Sequence, residues 1–228
     1  MQRRILLPLI FGVAGVAILV SLGIWQVQRL AWKEAVLAQI ETRIAAAPVA
    51  LPETAAPAAD RYLPVRMTGR FAPGVLRVLV SRKRVGAGYR IISPFETDGR
   101  RVLVDRGFIE VADELGPPPA GEVTITGNLH WPDDRNSATP ENDVADNTWF
   151  ARDIGPMSGV LETEPLLVVA REVTPGDASV TPLPVDTGDI PNDHLEYALT
   201  WFSLAAIWAA MTVYFIWRMG RSAKGAGR

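Results

Sequence analysis

The sequence predicts a membrane α+β protein, in which two transmembrane helices near the ends of the chain flank a small antiparallel β domain. Two observations predict the helices, because Ile5–Trp25 and Tyr197–Trp217 are each runs of 21 residues without a formal charge. At about 1.5 Å per helical residue, such a run spans roughly 31 Å, the thickness of a bilayer's hydrocarbon core. A third observation predicts the β domain, since apolar and polar residues begin to alternate at Tyr62.

The first apolar run is predicted to belong to a longer helix over residues 1–47, with an extension outside the membrane. Trp25 and Trp32 continue the helical spacing beyond the run, and an Ala/Pro-rich stretch from Pro48 then ends the helix. The alternative is a cleaved signal peptide, since Ser21-Leu22-Gly23 loosely resembles a cleavage site. Because the run is longer than the roughly 7–15 apolar residues of a signal peptide, we expect a retained anchor.

The distribution of charge predicts the topology in the membrane. All 25 acidic residues lie between Glu34 and Glu196, whereas the two tails carry basic residues and no acidic ones. Positively charged flanks stay in the cytoplasm, so we expect both termini inside and residues 48–191 in the periplasm of a bacterial inner-membrane protein. The second helix is expected over residues 192–218, followed by a cytoplasmic tail of residues 219–228.

Composition argues against several classes of function. Between Arg29 and Glu196 there are 17 basic and 25 acidic residues, a formal charge of −8, so no nucleic-acid partner is expected. The chain has no cysteine, which excludes a disulfide, a thiolate metal site and covalently attached haem of the c type. The sequence also has no Gly-rich phosphate loop, G-x-S-x-G or H-E-x-x-H motif, and we therefore do not expect an enzyme.

The middle of the chain is predicted to form about seven short strands, for which a partly closed barrel is one arrangement. The clearest unit is a hairpin that pairs Tyr89–Glu96 with Arg101–Phe108 across an Asp98-Gly99 turn, because Asp-Gly accepts the positive φ of tight hairpins. The segment IGPMSGVLE predicts one short helix. The strand segments are YLPVRMTGRF, VLRVLVS, GYRIISPFET, RRVLVDRGFIEV, EVTITGNLHW, TWFARDI and PLLVVAREV.

One of the two histidines is predicted to be structural. His130 stands where a strand meets a loop, beside Trp131, and plain surface or packing is its expected role. The acidic pairs Asp113-Glu114 and Asp133-Asp134 fall in loops, and we expect them to be solvated.

The other histidine stands at the start of the second apolar run. Asp193 is placed to cap the helix, with Glu196 at the capping-box spacing, so His194 is expected in the first turn at the periplasmic water–lipid boundary. At 100° per residue, four side chains of this helix fall within roughly 60° of one another: His194, Tyr197, Trp201 and Trp208. Such a stripe offers one nitrogen ligand above an aromatic wall, and neutral imidazole is a common axial ligand of haem iron. The alternative is an interfacial histidine beside an aromatic belt.

Two stretches carry specific patterns. LGIWQVQRLAWK (Leu22–Lys33) matches every fixed position of L-G-x-W-Q-x-x-R-x-x-W-K, and NDHLEYALTWFSLAAIW (Asn192–Trp208) fits N-x-H-x-x-Y-A-x-x-W-F. Both patterns resemble those of the Surfeit locus protein family of cytochrome c oxidase assembly factors, where they lie at the two membrane helices. PFETDGRRVLVDRGFI is similar to a strand–turn–strand of that family, although Asp105 and Phe108 stand where Asn and Trp are more usual.

The resemblance implies a role in maturing an aa3-type cytochrome c oxidase. Bacterial members of the family are thought to bind haem a and to help deliver it to the catalytic subunit of the oxidase. The implied partners are that subunit, haem a synthase and the lipid bilayer. The family's histidine corresponds to His194, which is therefore the implied metal ligand, and the matching Tyr197 and Trp201 are implied to pack on the porphyrin.

Two alternatives from other classes remain. One is a membrane-anchored scaffold that stabilises oxidase assembly intermediates without binding haem. The other is a periplasmic ligand sensor with two anchors, which the short segment Arg218–Arg228 disfavours because no output domain follows it.

Overall fold

Two long helices occupy the ends of the chain in the computed structural model, which describes residues 2–82, 86–188 and 190–225. They are α1 (Gln2–Ile44) and α4 (His194–Gly225). Each contains a segment that is long and apolar enough to cross a membrane. The two helices flank a β domain, which confirms the predicted fold class.

The chain divides into two compact units. One unit comprises Met1–Gln39 and Gly188–Arg228, and the other comprises Ile40–Thr187. The helical unit leaves large apolar side chains in the open, such as Leu7 at 75% and Val213 at 68% exposure. Exposed apolar surface along an entire helix is the pattern that lipid contact favours.

The first helix ends at Ile44, three residues before the end near Ala47 that the sequence predicts. The carbonyl oxygen of Ile44 accepts hydrogen bonds from Asn128 Nδ2 at 3.0 Å and from Arg171 Nη1 at 3.2 Å. These side chains satisfy a carbonyl that has no partner within the helix, as the end of a helix requires.

The second long helix continues further than the sequence indicated. Residue 218 was its expected end, but α4 is helical through Gly225 and so includes most of the predicted tail. Residues 226–228 of that tail lie outside the described part of the chain.

The β unit is a closed barrel of five strands. Around the barrel β2 is followed by β4, β5, β8 and β6, and β6 pairs back with β2. The five-stranded ring is antiparallel, as predicted for the domain, except where β5 and β8 run parallel. Directions cannot alternate around a ring of five strands, so one parallel pair is unavoidable. The five strands are β2 (Pro64–Phe71), β4 (Gly86–Thr97), β5 (Arg100–Glu110), β6 (Val123–His130) and β8 (Leu167–Thr174).

Shorter elements extend this barrel. β3 pairs with β4 outside the ring, and β7 adds to β3, whereas β1 pairs with β2. The helix predicted from IGPMSGVLE is present as α3, between β7 and β8. The additional elements are β1 (Val49–Ala50), α2 (Pro57–Asp60), β3 (Leu76–Arg82), β7 (Thr148–Trp149) and α3 (Ile154–Leu161).

Two apolar clusters lie on opposite faces of the same strands. Val102 and Val168 point into the barrel, whereas Leu103 and Leu167 join a second cluster with side chains of β3, β7 and α3. Successive side chains of a strand alternate between faces, so β5 and β8 are buried on both sides. This double burial explains the consecutive apolar residues Val102–Val104 in β5 and Leu167–Ala170 in β8.

The structure confirms the predicted hairpin. Thr97 pairs with Arg100 across a two-residue turn, in which Asp98 has a φ of 48° and Gly99 a φ of 75°. Positive φ at both positions defines the type I′ turn, whose twist matches that of the strands it joins.

A β-bulge in this hairpin buries two charged residues. Ile91 pairs with Gly107 and Ile92 with Asp105, so Arg106 is the extra residue of β5. Asp105 is 0% exposed and Arg106 is 2% exposed. Asp105 accepts a hydrogen bond from Arg90 at 2.7 Å, and Arg106 donates to Asp177 at 2.7 Å.

The prediction of a strand over TWFARDI is wrong after its first two residues. The N–H groups of Phe150 and Ala151 donate to Oδ1 of Asn142, and that of Arg152 donates to Oδ2 of Asp134. Side-chain acceptors from the preceding loop thus replace a neighbouring strand. Asp134 is exposed, as expected for this loop, and its carboxylate is also bound by the Arg152 guanidinium at both oxygens, at 2.7 and 2.9 Å.

Candidate functional site

The site begins at the first turn of the second long helix. His194 is the first residue of α4, as expected from the sequence. The first helical hydrogen bond runs from the N–H of Tyr197 to the carbonyl oxygen of Asp193, at 3.2 Å. Because the carbonyl oxygen of Asp193 accepts this bond, His194 occupies the first helical position.

Glycines bring the two long helices close together. A Cβ atom added at Gly12 would lie 2.1 Å from Cγ2 of Thr212, and one at Gly23 would lie 2.6 Å from Cε1 of Phe202. No side chain fits at such distances, so α1 and α4 approach through backbone at these positions. Small residues at helix contacts are the usual means of close packing in membranes.

A hydrogen bond near the far end of the pair fixes the same alignment. Nε1 of Trp208 donates to the carbonyl oxygen of Gly12 at 3.1 Å, and its ring lies against Phe11 with centroids 5.7 Å apart. Trp208 is therefore committed to the contact between the helices. The predicted stripe above His194 is not a continuous open aromatic wall, because this member of it faces α1.

The alignment places Gln26 opposite His194. Nδ1 of His194 lies 2.8 Å from Oε1 of Gln26, and the two residues are 168 positions apart in the chain. Gln26 is 8% exposed, whereas glutamine side chains are mostly exposed in proteins. Polar side chains in membrane segments generally face a partner helix in this way.

The hydrogen bond decides which ring nitrogen can bind a metal. Oε1 of Gln26 is a carbonyl oxygen and only accepts, so Nδ1 of His194 carries the proton and donates. A neutral imidazole protonated at Nδ1 keeps a lone pair on Nε2. Nε2 of His194 is therefore the nitrogen that remains available to a metal, while the ring is oriented from the opposite nitrogen, as is usual for metal-binding histidines.

The other two predicted site residues lie further along the same helix. Tyr197 is 55% exposed, so one ring is accessible one turn after His194. Trp201 is half-buried. The structure therefore brings Gln26 to His194 and leaves Tyr197 on an open face of the helix.

The donor set suits haem better than a bare metal ion. Within residues 2–82, 86–188 and 190–225, no three His, Cys, Asp or Glu side chains gather as a metal cluster. A porphyrin brings four nitrogen ligands of its own and needs an axial ligand from the protein. His194 fits that requirement, and the buried Oδ1 of Asn192, two residues earlier, has no hydrogen-bond partner among the described residues.

His130 has a packing role in the β unit. It ends β6 and stacks on Tyr62, with centroids 5.7 Å apart. Burial, together with the positive charges of Arg152 and Arg61, lowers the pKa of His130 to about 4. The nearby carboxylate of Asp134 is bound by Arg152. The expected role of His130 in packing agrees with these contacts.

Sequence reasoning did not single out Gln26 as a site residue. The signal was present, since Gln26 is a fixed position of the pattern at Leu22–Lys33 and is an amide next to an apolar run. Its partner could not be identified without the packing of the two helices.

Comparison with known proteins gives consistent matches. The sequence profile of the SURF1 family matches residues 13–206, which include Leu22–Lys33 and all but the last two residues of Asn192–Trp208. A SURF1-like protein of Rickettsia felis is 31% identical over 212 residues, covering 88% of this chain and 92% of that protein. Human Surfeit locus protein 1 is 31% identical over 214 residues, covering 82% of this chain and 70% of the human protein.

Proposed function

The chain belongs to the SURF1 family of cytochrome c oxidase assembly factors, and we propose that in this role it binds haem a and assists its insertion into the oxidase. The receiving protein is the catalytic subunit of an aa3-type enzyme, and haem a synthase is the proposed source. The observation that carries the proposal is the imidazole of His194, whose Nδ1 is bonded to Gln26 and whose Nε2 is thereby left as a ligand.

Three residues are assigned to the haem. His194 supplies the axial nitrogen, and the exposed ring of Tyr197 offers an apolar surface to the porphyrin. Trp201 lies about 20° from His194 around the helix at 100° per residue, and packs at the edge of the same site. When bound, haem a would supply the iron, with His194 as its single protein ligand, an arrangement that suits a carrier that must pass the haem on.

A site beside lipid suits this cargo. The apolar side chains on the outside of α1 and α4 leave the helix pair suited to a bilayer. The farnesyl tail of haem a can remain in lipid while His194 holds the iron at the membrane surface. Transfer then needs no removal of the tail from its apolar surroundings.

The proposed topology places the site on the outer side of the inner membrane. The basic residues near both ends of the chain favour cytoplasmic termini, so the β barrel is periplasmic in this proposal. The barrel is then available to recognise the oxidase subunit or the synthase.

Co-expression with the haem a synthetic enzymes, followed by purification and an optical spectrum, tests the proposal. The wild-type chain should carry a haem a spectrum, and His194→Ala should reduce haem per protein by about tenfold or more, because the axial ligand is lost. The adjacent Leu195→Ala is the matched control, since Leu195 is 54% exposed and lies in the same helical turn. It should retain haem.

Two outcomes would count against the proposal. A His194→Ala protein of normal abundance with an unchanged spectrum would show that the residue is merely interfacial. A wild-type protein without haem a would favour a scaffold that stabilises assembly intermediates. The second histidine variant, His130→Ala, should also retain haem, but its haem content must be compared per folded protein because His130 is a packing residue.

A further inference from the structure

We propose that Gln26 is a positioning residue for His194, which fixes the Nδ1–H tautomer of the imidazole and sets its strength as a ligand. The inference rests on the proposed function for its consequence in haem binding, although the tautomer itself is a property of the protein alone. Gln26 would not itself be a ligand of the iron. It acts through the 2.8 Å hydrogen bond from Nδ1 to Oε1.

The tautomer needs a cause, because a histidine in water prefers the opposite one. In free imidazole side chains the proton resides mainly on Nε2, which would place the lone pair on Nδ1, next to the backbone. An acceptor facing Nδ1 reverses this preference, since only the Nδ1–H form can donate to it. Gln26 supplies that acceptor, and its low exposure limits competition from water for the same hydrogen bond.

The acceptor is held in place by the packing of the helices. Trp208 bonds to the backbone of Gly12, and Gly23 lies against Phe202 three residues before Gln26. These contacts fix the register of α1 against α4 over the part of α1 that precedes Gln26. The amide therefore faces His194 as part of a packed helix pair.

The chemical nature of the acceptor suits a carrier. A carboxylate at this position would draw the Nδ1 proton more strongly and make Nε2 a better donor to iron. A neutral amide orients the ring without that added strength. Gln26 thereby limits the donor strength of Nε2, so that the imidazole of His194 both binds haem a and releases it.

The tautomer can be measured directly, because His130 and His194 are the two histidines of the chain. The full chain is labelled with 15N-histidine, purified through a tag without histidine and studied by NMR in detergent without haem. His130→Phe assigns the two sets of signals. In the wild type, His194 should show a protonated Nδ1 and an unprotonated Nε2.

Three variants separate positioning from general packing. Gln26→Leu removes the acceptor at similar volume and should shift His194 towards the Nε2–H form. Gln26→Glu retains an oxygen acceptor and should preserve the Nδ1–H form. Gln28→Leu is the matched control, since Gln28 is an exposed glutamine two residues further along the same helix, and it should leave the tautomer unchanged.

Haem binding supplies the second readout. With haem a as the probe, Gln26→Leu should weaken binding about 10- to 100-fold, the usual effect of removing a group that orients a metal ligand. Gln26→Glu should bind at least as tightly as the wild type, release haem more slowly and lower the reduction potential of the iron.

The outcomes distinguish this inference from the proposed function. An Nε2–H tautomer of His194 in the wild type, or a tautomer that Gln26→Leu leaves unchanged, overturns the inference. Unchanged haem affinity and potential in Gln26→Leu would also overturn the positioning role. If the tautomer responds as expected while the wild type takes up no haem a, the proposed function fails and the control of His194 by Gln26 stands.

Discussion

Asp105 and Arg106 are neighbouring charged residues that both lie buried in the β unit. Successive residues of a regular strand point to opposite faces, and the bulge at Arg106 alters that pattern locally. Asp105 is thereby paired with Arg90, while Arg106 is paired with Asp177. Buried charges of this kind are tolerated because each has a partner, and the loss of one partner leaves the other uncompensated.

We expect Asp105→Asn to lower the free energy of unfolding by about 3 kcal/mol, because it leaves the charge of Arg90 without its partner. An asparagine can still accept the N–H of Gly107 through Oδ1, so the bulge itself should remain. Urea or thermal unfolding of the full chain in detergent measures the change.

The control for this substitution is Glu96→Gln. Glu96 pairs with Arg70 at 3.0 Å, but the side chains are 41% and 75% exposed, and solvent-exposed pairs contribute about 0–1 kcal/mol. An equal loss of stability in Asp105→Asn and Glu96→Gln would contradict the role assigned to burial.

His130 makes stability depend on pH. Its pKa is about 4 in the folded protein, lowered from 6.5 by burial and by nearby arginines, so the unfolded chain binds more protons between these values. The contribution of His130 to the free energy of unfolding is therefore fully present above pH 6.5. It is lost as the pH decreases towards 4, by at most about 3 kcal/mol. His130→Phe retains stacking on Tyr62 without a titrating group, and it should lose less stability between pH 7 and pH 5.

Unfolding midpoints of both proteins at pH 7 and pH 5 check this expectation. Burial alone would raise the pKa of Asp134 and of Asp177, but hydrogen bonds from Arg152 and Arg106 hold both below the usual value. The contributions of these two carboxylates to stability are lost only in more acid solution, so they do not affect the comparison between pH 7 and pH 5. A wild type that is equally stable at both pH values would contradict the assignment.

At the scale of elements, predictions succeeded where the determining chemistry is local. The hairpin was predictable because Asp98 and Gly99 themselves adopt the positive φ that the turn requires. The strand over TWFARDI failed because its N–H groups are bound by Asn142 and Asp134, residues of a loop whose path the sequence pattern does not reveal. Closure of the barrel likewise depends on the pairing of β2 with β4 and β6, which is a property of the chain as a whole.

The contact between the two helices predicts a sensitive position at Gly12. We expect Gly12→Leu to destabilise the helix pair by about 1–3 kcal/mol, because the new side chain would overlap Thr212 and displace the Trp208 hydrogen bond. The matched control is Ala14→Leu, since Ala14 is exposed on the same helix. Thermal unfolding in detergent should separate the two variants, and a Gly12→Leu chain as stable as Ala14→Leu would refute the close contact.

At the scale of the whole molecule, the sequence located one half of the candidate site. His194 stood out through its position at an apolar run and through the pattern around it. Gln26 did not stand out, because Gln26 and His194 are 168 residues apart. They are brought together only by the packing of the first and last helices. A site shared between distant segments has no local spacing for a pattern to display.

The arrangement of the whole chain in the membrane gives the last prediction. Basic residues without acidic ones lie beyond both apolar segments, so the positive-inside rule predicts that both ends lie in the cytoplasm and the barrel outside. A reporter that is active only outside should be active when fused at Ala120, an exposed position in the loop between β5 and β6, and silent when fused at Arg228. The mass of the purified protein should also show that residues of the first helix are retained, since α1 packs against α4. An active reporter at Arg228 would place the start of α4, and with it His194, on the cytoplasmic side, where the proposed periplasmic haem site could not exist.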